Sequence, residues 1–240
     1  MYTTAELLAL VIVCLGVTSQ AFYGLGFGLV AAPLLFIINP AYVPAPILIL
    51  GCVLAAITLI KSRTLFKPYY VWYAIVWRGI GAWFGAMLIA VLSNSGLTIL
   101  FGLLVILAAV VSWARFSFRP SPITLSWAGF LSGVLGTATS VGGPPLAIVY
   151  QNSERRLARD DLTLFFFWGT LLSIIVLYLA GRVSSSQEIL ALKMMPAVLL
   201  GLLLAQFLET KIKSHSIKPI FTTISLMSGA VIIIRGLLGD

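Results

Sequence analysis

The sequence predicts an all-α polytopic membrane protein made of two inverted repeats, each a re-entrant helical hairpin followed by three transmembrane helices. Three observations lead there. Of the 240 residues, 60% are hydrophobic and only 9% charged, against roughly 25% charged in ordinary soluble domains. The charges fall in clusters separated by apolar blanks long enough to span a bilayer. Two glycine- and proline-rich stretches recur at matching places in the two halves of the chain. So few charges cannot cover the surface of a soluble domain of this size, which argues against a cytosolic enzyme, a disordered chain and a nucleic-acid binder. The net charge of +8 then reads as Lys and Arg anchoring cytoplasmic loops.

The elements follow in chain order. A helix rises about 1.5 Å per residue, so roughly 20 apolar residues cross a hydrocarbon core about 30 Å thick. Segment 5–39 is longer than one upright span and shorter than two with a turn, and its centre is rich in glycine. Glycine weakens a continuous helix, so the segment is predicted to enter and leave on one side as a hairpin. Helices are expected over 44–61, 68–92 and 96–114, separated and closed by Lys61, Arg63, Lys67, Arg115 and Arg119. Segment 120–150 repeats the first pattern and is the second predicted hairpin. Helices 162–181, 188–208 and 217–236 follow it. The domains are thus 1–119 and 120–240. Pro33, Pro144 and Pro145 are expected where helices restart, because proline is tolerated in a first turn.

Orientation comes from the basic residues. With hairpins contributing no net crossing, one face collects Lys61, Arg63, Lys67, Arg115, Arg119, Arg155, Arg156, Arg159, Lys211, Lys213 and Lys218. The positive-inside rule makes that face cytoplasmic and puts both termini on the other side. The first residues, MYTTAE, carry no basic region and do not read as a cleaved signal peptide. Arg182 and Lys193 are expected as anchors at the outer surface, and Gln206 as a hydrogen-bonding group between helices.

The halves match weakly in sequence. VTSQAFYGLGFGLVAAP at 17–33 aligns with GFLSGVLGTATSVGGPP at 129–145, with Gly24 on Gly136 and Pro33 on Pro145. Gly51 pairs with Gly169, and Gly81 with Gly201. Three spans per half is an odd number of crossings, so the second copy must be inverted. Broken membrane segments in inverted repeats are the architecture of secondary transporters, with substrate near the midplane.

The candidate binding residues lie at the hairpin turns and at one buried charge. Gln20, Tyr23, Gly24, Gly26 and Gly28 are placed at the first turn, and Thr137, Thr139, Ser140, Gly142 and Gly143 at the second. Thr18 and Ser19 stand beside the first group. Glycine lets backbone N–H groups approach a ligand, and hydroxyls replace part of an anion's hydration shell. The pairs Gly81/Gly85 and Gly129/Gly133 have the small-xxx-small spacing of close helix packing. Arg78 lies eleven residues into the span 68–92. An arginine at such depth costs roughly 2.5–3.5 kcal/mol on the lenient insertion scale. It suits the oxygen array of a small anion; the alternatives are hydrogen bonds to hairpin carbonyls or snorkelling to the interface. The seven acids, Glu6, Glu154, Asp160, Asp161, Glu188, Glu209 and Asp240, fall near span ends or in loops, so no buried carboxylate is expected.

Cys14 and Cys52 read as small buried hydrophobes, and the lone His215 lies in a polar loop. With no ligand cluster, neither a metal site nor a cofactor is expected. An intramembrane enzyme would need a nucleophile with a base, or paired carboxylates, at depth, and the inventory does not supply them.

GFLSG at 129–133, Gly136 and VGGPP at 141–145 resemble the Gly-rich signature of the sulfite exporter TauE/SafE family. Gly24, Gly26, Gly28 and Pro33 resemble its first signature, with Phe27 where a glycine triplet is usual. The resemblance covers nearly the whole chain. It implies a multi-pass carrier of the bacterial inner membrane exporting sulfite, sulfonates or related small anions, with the bilayer and the anion as partners and no nucleic acid. A non-transporting subunit of a larger membrane complex is the alternative of another class, and homo-oligomerisation stays open.

Overall fold

The computed structural model describes residues 2–23, 26–62, 70–113, 118–209 and 218–239. Gly24, Arg63, Lys67, Arg115, Lys211, Lys213, His215 and Asp240 lie outside the described residues, as do the side chains of Tyr23, Arg155, Arg156, Glu209 and Lys218. Among the described residues there is no strand. The helices are α1 (Thr4–Tyr23), α2 (Phe27–Ile38), α3 (Ala45–Ser62), α4 (Val71–Val91), α5 (Asn94–Trp113), α6 (Pro122–Thr139), α7 (Pro144–Val149), α8 (Arg155–Leu179), α9 (Ser185–Glu209) and α10 (Lys218–Leu238), with a 3-10 turn at Pro40–Tyr42.

Among the described residues, six helical segments are long and apolar enough to cross a membrane: Thr4–Ala21, Pro40–Lys61, Val71–Val91, Ser95–Ser112, Leu157–Leu179 and Ser185–Leu208. Helix α10, Lys218–Leu238, stands where 217–236 was expected. The set differs from the expected one at the first arm of the 5–39 hairpin, which is itself of spanning length. The hairpins are lopsided for the same reason. At about 1.5 Å per residue, α1 is roughly 30 Å long and α2 roughly 18 Å; α6 is roughly 27 Å and α7 roughly 9 Å. The glycines break each hairpin late in its first arm.

Local sequence sets these boundaries. Ser121 caps α6, accepting from the Thr124 N–H, while Thr124 Oγ1 accepts from the Ser121 N–H, and Pro122 takes the first helical position. Ser140 ends α6 in the left-handed region at φ 62. Gly26, at φ 129, precedes α2 in a conformation that side chains other than hydrogen rarely adopt. Helix α8 begins at Arg155, well before the expected 162, because its charged first turns are also buried on one side.

Packing fixes the direction of each helix. Lys193 pairs with Glu6 at 2.5 Å, Arg182 donates to the Ala90 carbonyl at 3.4 Å, and Arg235 to the Ile37 carbonyl at 2.9 Å. The start of α1, the end of α2, the end of α4, the start of α9 and the end of α10 therefore gather at one end of the bundle. Leu59, Val71, Leu125, Val149, Tyr150 and Leu162 cluster at the other end. Each hairpin thus returns to the end it came from. Helix α4 packs on α6, and α9 on α1; α4 packs on α8, and α9 on α3; α2 packs on α10, and α7 on α5. Helices α3 and α8 pack on each other, as do α5 and α10. Large apolar side chains such as Trp83, Met87, Leu199, Leu203 and Met227 face outward, a surface suited to lipid.

Candidate functional site

A glycine seam between α4 and α6 places the central residue. A β-carbon on Gly81 would strike the Phe130 carbonyl, one on Gly129 the Ala74 carbonyl, and one on Gly133 the Arg78 carbonyl. The two helices touch backbone to backbone, as their small-xxx-small spacing predicts. Helix α8 closes over the seam, and Arg78 is caught between α6 and α8 with 2% of its surface exposed. It does not snorkel to either end of the bundle.

The surroundings of Arg78 contain hydroxyls and a ring. Nη1 donates to Ser132 Oγ and Nη2 to Thr170 Oγ1, both at 3.3 Å. Cζ lies 4.8 Å from the centroid of the Phe165 ring, within cation–π range. The Nε–H has no partner. Gly169 lies so close that a β-carbon there would overlap the Arg78 side chain, and Gly136 and Gly142 pack against each other beside Nη2. Neutral hydroxyls offset only part of the desolvation of a buried cation. A small anion with several oxygens would supply what is missing, matched to a planar fork of donors.

The hairpin turns meet beside this pocket. Gly28, in the first turn of α2, abuts the backbone of Ser140 and Val141. Ser140 Oγ donates to the Pro44 carbonyl at 2.8 Å, tying the second turn to the start of α3. Thr139 Oγ1 donates to the Leu135 carbonyl at 2.7 Å and accepts from the Val141 N–H at 3.2 Å. Ser132 Oγ donates to the Gly142 carbonyl. Gln20 Oε1 accepts from the Phe27 N–H at 3.3 Å, and Thr18 donates to the carbonyls of Cys14 and Gly201. The expected pool of hydroxyls facing one another across the turns is therefore largely spent on building the turns. Thr137 and Ser19 are the exceptions: both are buried and their hydroxyls lack partners. Gly143 caps α7.

A second pocket of like build sits between α1 and α3. There a β-carbon on Gly16 or Gly51 would meet the Phe27 ring at 3.1 and 3.6 Å. A ring fills this pocket, where the guanidinium fills the other. A small recess opens nearby, lined by Gln20, Ala55, Thr58, Arg159, Thr163 and Phe166. Phe166, in the lining of the recess, is the sequence neighbour of Phe165, whose ring lies against the Arg78 guanidinium.

Of the predicted site residues, the structure brings Arg78 and Gly142 together, seats Gly28 against Ser140, and puts Gln20 in the recess. Ser132, Phe165, Gly169 and Thr170, which form the pocket, were not singled out in the sequence. Gly169 carried a signal through its pairing with Gly51; the others carried none, because the pocket joins three helices distant in sequence. Two expectations are corrected. Asp161 is buried, with 4% exposure, because Tyr150 at the end of α7 folds over it and donates to Oδ2 at 2.6 Å. Gln206 is exposed and not between helices.

No curated protein and no solved structure matches the chain. The family described as Sulfite exporter TauE/SafE matches residues 8–232, nearly the full length. With its all-helical fold and its membrane-spanning helices, the chain belongs to the TauE/SafE family of membrane transport proteins.

Proposed function

We propose that this protein is a secondary carrier that exports a small sulfur-containing anion, sulfite or an organosulfonate, across the bacterial inner membrane by alternating access. Arg78 is its principal anion-binding residue. The observation that carries the reading is the burial of Arg78 among hydroxyls and a ring, with a free Nε–H. A fixed cation at that depth is costly to keep, and intramembrane charge marks substrate sites by default. The seam glycines and the turn residues Gly28, Thr137, Ser140, Gly142 and Gly143 frame the pocket.

Alternating access needs two arrangements of one scaffold around a fixed site. Support for the two inverted units, 1–119 and 120–240, comes from the pairing of helices: the larger contacts recur as counterparts, α4 on α6 with α9 on α1, α4 on α8 with α9 on α3, and α2 on α10 with α7 on α5. The recess beside Gln20 and Arg159 supplies an approach from the end of the bundle that carries Lys61 and Arg119. By the positive-inside rule that end is cytoplasmic and both termini are periplasmic. Phe166 and Ala55 line the recess, and on this reading they stand between it and Arg78.

The test is flux. Purified protein in liposomes is expected to move sulfite and methanesulfonate, and Arg78→Gln to lose that movement while remaining folded. Equal flux in the variant would remove Arg78 from the binding site. Absence of flux for sulfite, sulfonates and thiosulfate alike, with folded protein, would overturn the carrier assignment.

A further inference from the structure

We propose that Asp161 is a proton-binding site linked to anion occupancy at Arg78, so that the carrier moves its anion together with a proton, export running down the anion's own outward concentration gradient. This rests on the reading of Arg78 as the anion site. Asp161 is the one carboxylate buried among the described residues. Its Oδ2 accepts from the Tyr150 hydroxyl at 2.6 Å, and its Oδ1 has no partner among the described residues. The surroundings are apolar: Leu59, Val71, Leu125, Val149 and Leu162 pack in the same cluster. An ionised carboxylate with one bare oxygen is poorly solvated there.

Geometry ties this acid to the anion pocket. Asp161, Phe165 and Gly169 recur every four residues and so share one stripe of α8. Along that stripe Gly169 packs against the Arg78 side chain and Phe165 lies against its guanidinium. The buried acid is thus one turn beyond the ring on which the buried base rests, roughly 12 Å along the helix from Gly169. Phe165 separates the two groups, and no direct ion pair forms between them. A long-range interaction between them persists, because the interior screens charge far less than water.

The other titratable groups around α8's first turns are few. Asp160 adjoins Asp161. Glu154, Arg159, Lys61 on α3, Tyr70 before α4 and Arg119 before α6 are exposed. Arg155 and Arg156 have side chains outside the described residues.

The coupling follows from linkage. An anion entering the Arg78 pocket brings a second negative charge toward Asp161 and favours its protonated form. Reciprocally, a proton on Asp161 strengthens anion binding by the same factor. The proton is taken from water onto Oδ1, while the Tyr150 hydroxyl goes on donating to Oδ2. On release of the anion the proton leaves with it.

The experiment uses the full-length protein in liposomes, with methanesulfonate as a probe that stays anionic across neutral pH. A proton gradient is expected to drive uphill methanesulfonate accumulation. Asp161→Asn, fixed in a neutral form, should lose the gradient-driven accumulation and keep methanesulfonate exchange. Tyr150→Phe removes a hydrogen bond that favours the carboxylate, so its pH profile should shift to the alkaline side. Infrared difference spectra read the acid directly: methanesulfonate should raise a protonated carboxyl band that Asp161→Asn lacks. Accumulation indifferent to the gradient in the wild type, or unaltered gradient response in Asp161→Asn, would overturn proton coupling and leave anion carriage standing. A wild-type protein that moves no methanesulfonate would count against the carrier reading, and a missing infrared band would independently overturn the assignment of Asp161.

Discussion

Gly28 stands so close to the carbonyl oxygen of Ser140 that no β-carbon fits between them. The two hairpin turns therefore meet through backbone alone. Ser140 cannot yield easily, because its hydroxyl is bonded to Pro44 and its left-handed conformation ends α6. Gly28→Ala should push the turns apart. Overpacking of a tight contact costs about 1–3 kcal/mol, so the thermal midpoint of the detergent-solubilised protein should fall, and flux should fall further than folded protein does. An unchanged midpoint would mean that the turns separate freely.

Helix α4 offers an internal control for its glycine seam. Gly81 faces the backbone of Phe130, whereas Gly79, two positions away, faces only a Leu172 methyl at 3.4 Å. Gly81→Ala should destabilise by about 1–3 kcal/mol from the backbone clash. Gly79→Ala should be neutral or stabilising by up to about 1 kcal/mol, the usual helix preference for alanine. Thermal denaturation of the two variants in parallel decides the matter, and equal effects would argue against a backbone-to-backbone seam.

Arg78 should trade stability for function. Its guanidinium is desolvated without a carboxylate partner, so removing the charge relieves a cost. Arg78→Gln is expected to match or exceed the wild-type thermal midpoint. Loss of a charged hydrogen bond is worth about 1.5–3 kcal/mol, so anion affinity should fall by roughly tenfold or more. Arg78→Lys keeps the charge but not the planar fork that reaches Ser132 and Thr170, and should recover affinity only in part. Anion-induced thermal shifts measure both quantities in one experiment; full recovery in the lysine variant would show that charge alone suffices.

Much of this fold was legible because charge and glycine punctuate the chain. The apolar blanks gave α3, α4, α5 and α9 nearly to their ends, and VGGPP located the turn between α6 and α7. The ends of α8 were misjudged because charge was taken as loop. Arg155–Asp161 is helical, and Asp161 points to Tyr150, a contact between elements that no local pattern announces. Gly81 packs on Phe130 and Val134, and Gly201 on Cys14 and Val17. The Arg78 pocket was legible only at its charge. Its walls come from α6 and α8, and a hydroxyl or ring on those helices looks the same in sequence wherever it points.

The native Cys52 can report on the passage between the recess and the pocket. It is a free thiol on α3, partly buried, one turn from Ala55 at the recess floor. With Cys14→Ala in place, Cys52 is the sole thiol in the chain. A small hydrophilic thiosulfonate reagent should modify it slowly, since Ala55 and Phe166 intervene. Phe166→Ala shortens the plug and should raise the rate. Methanesulfonate bound at Arg78 should lower it; sulfite is unsuitable here because it cleaves disulfides and would reverse the label. A rate that ignores both the Phe166 substitution and the bound anion would show that the recess does not lead to Arg78, and access to the pocket would have to run elsewhere in the bundle.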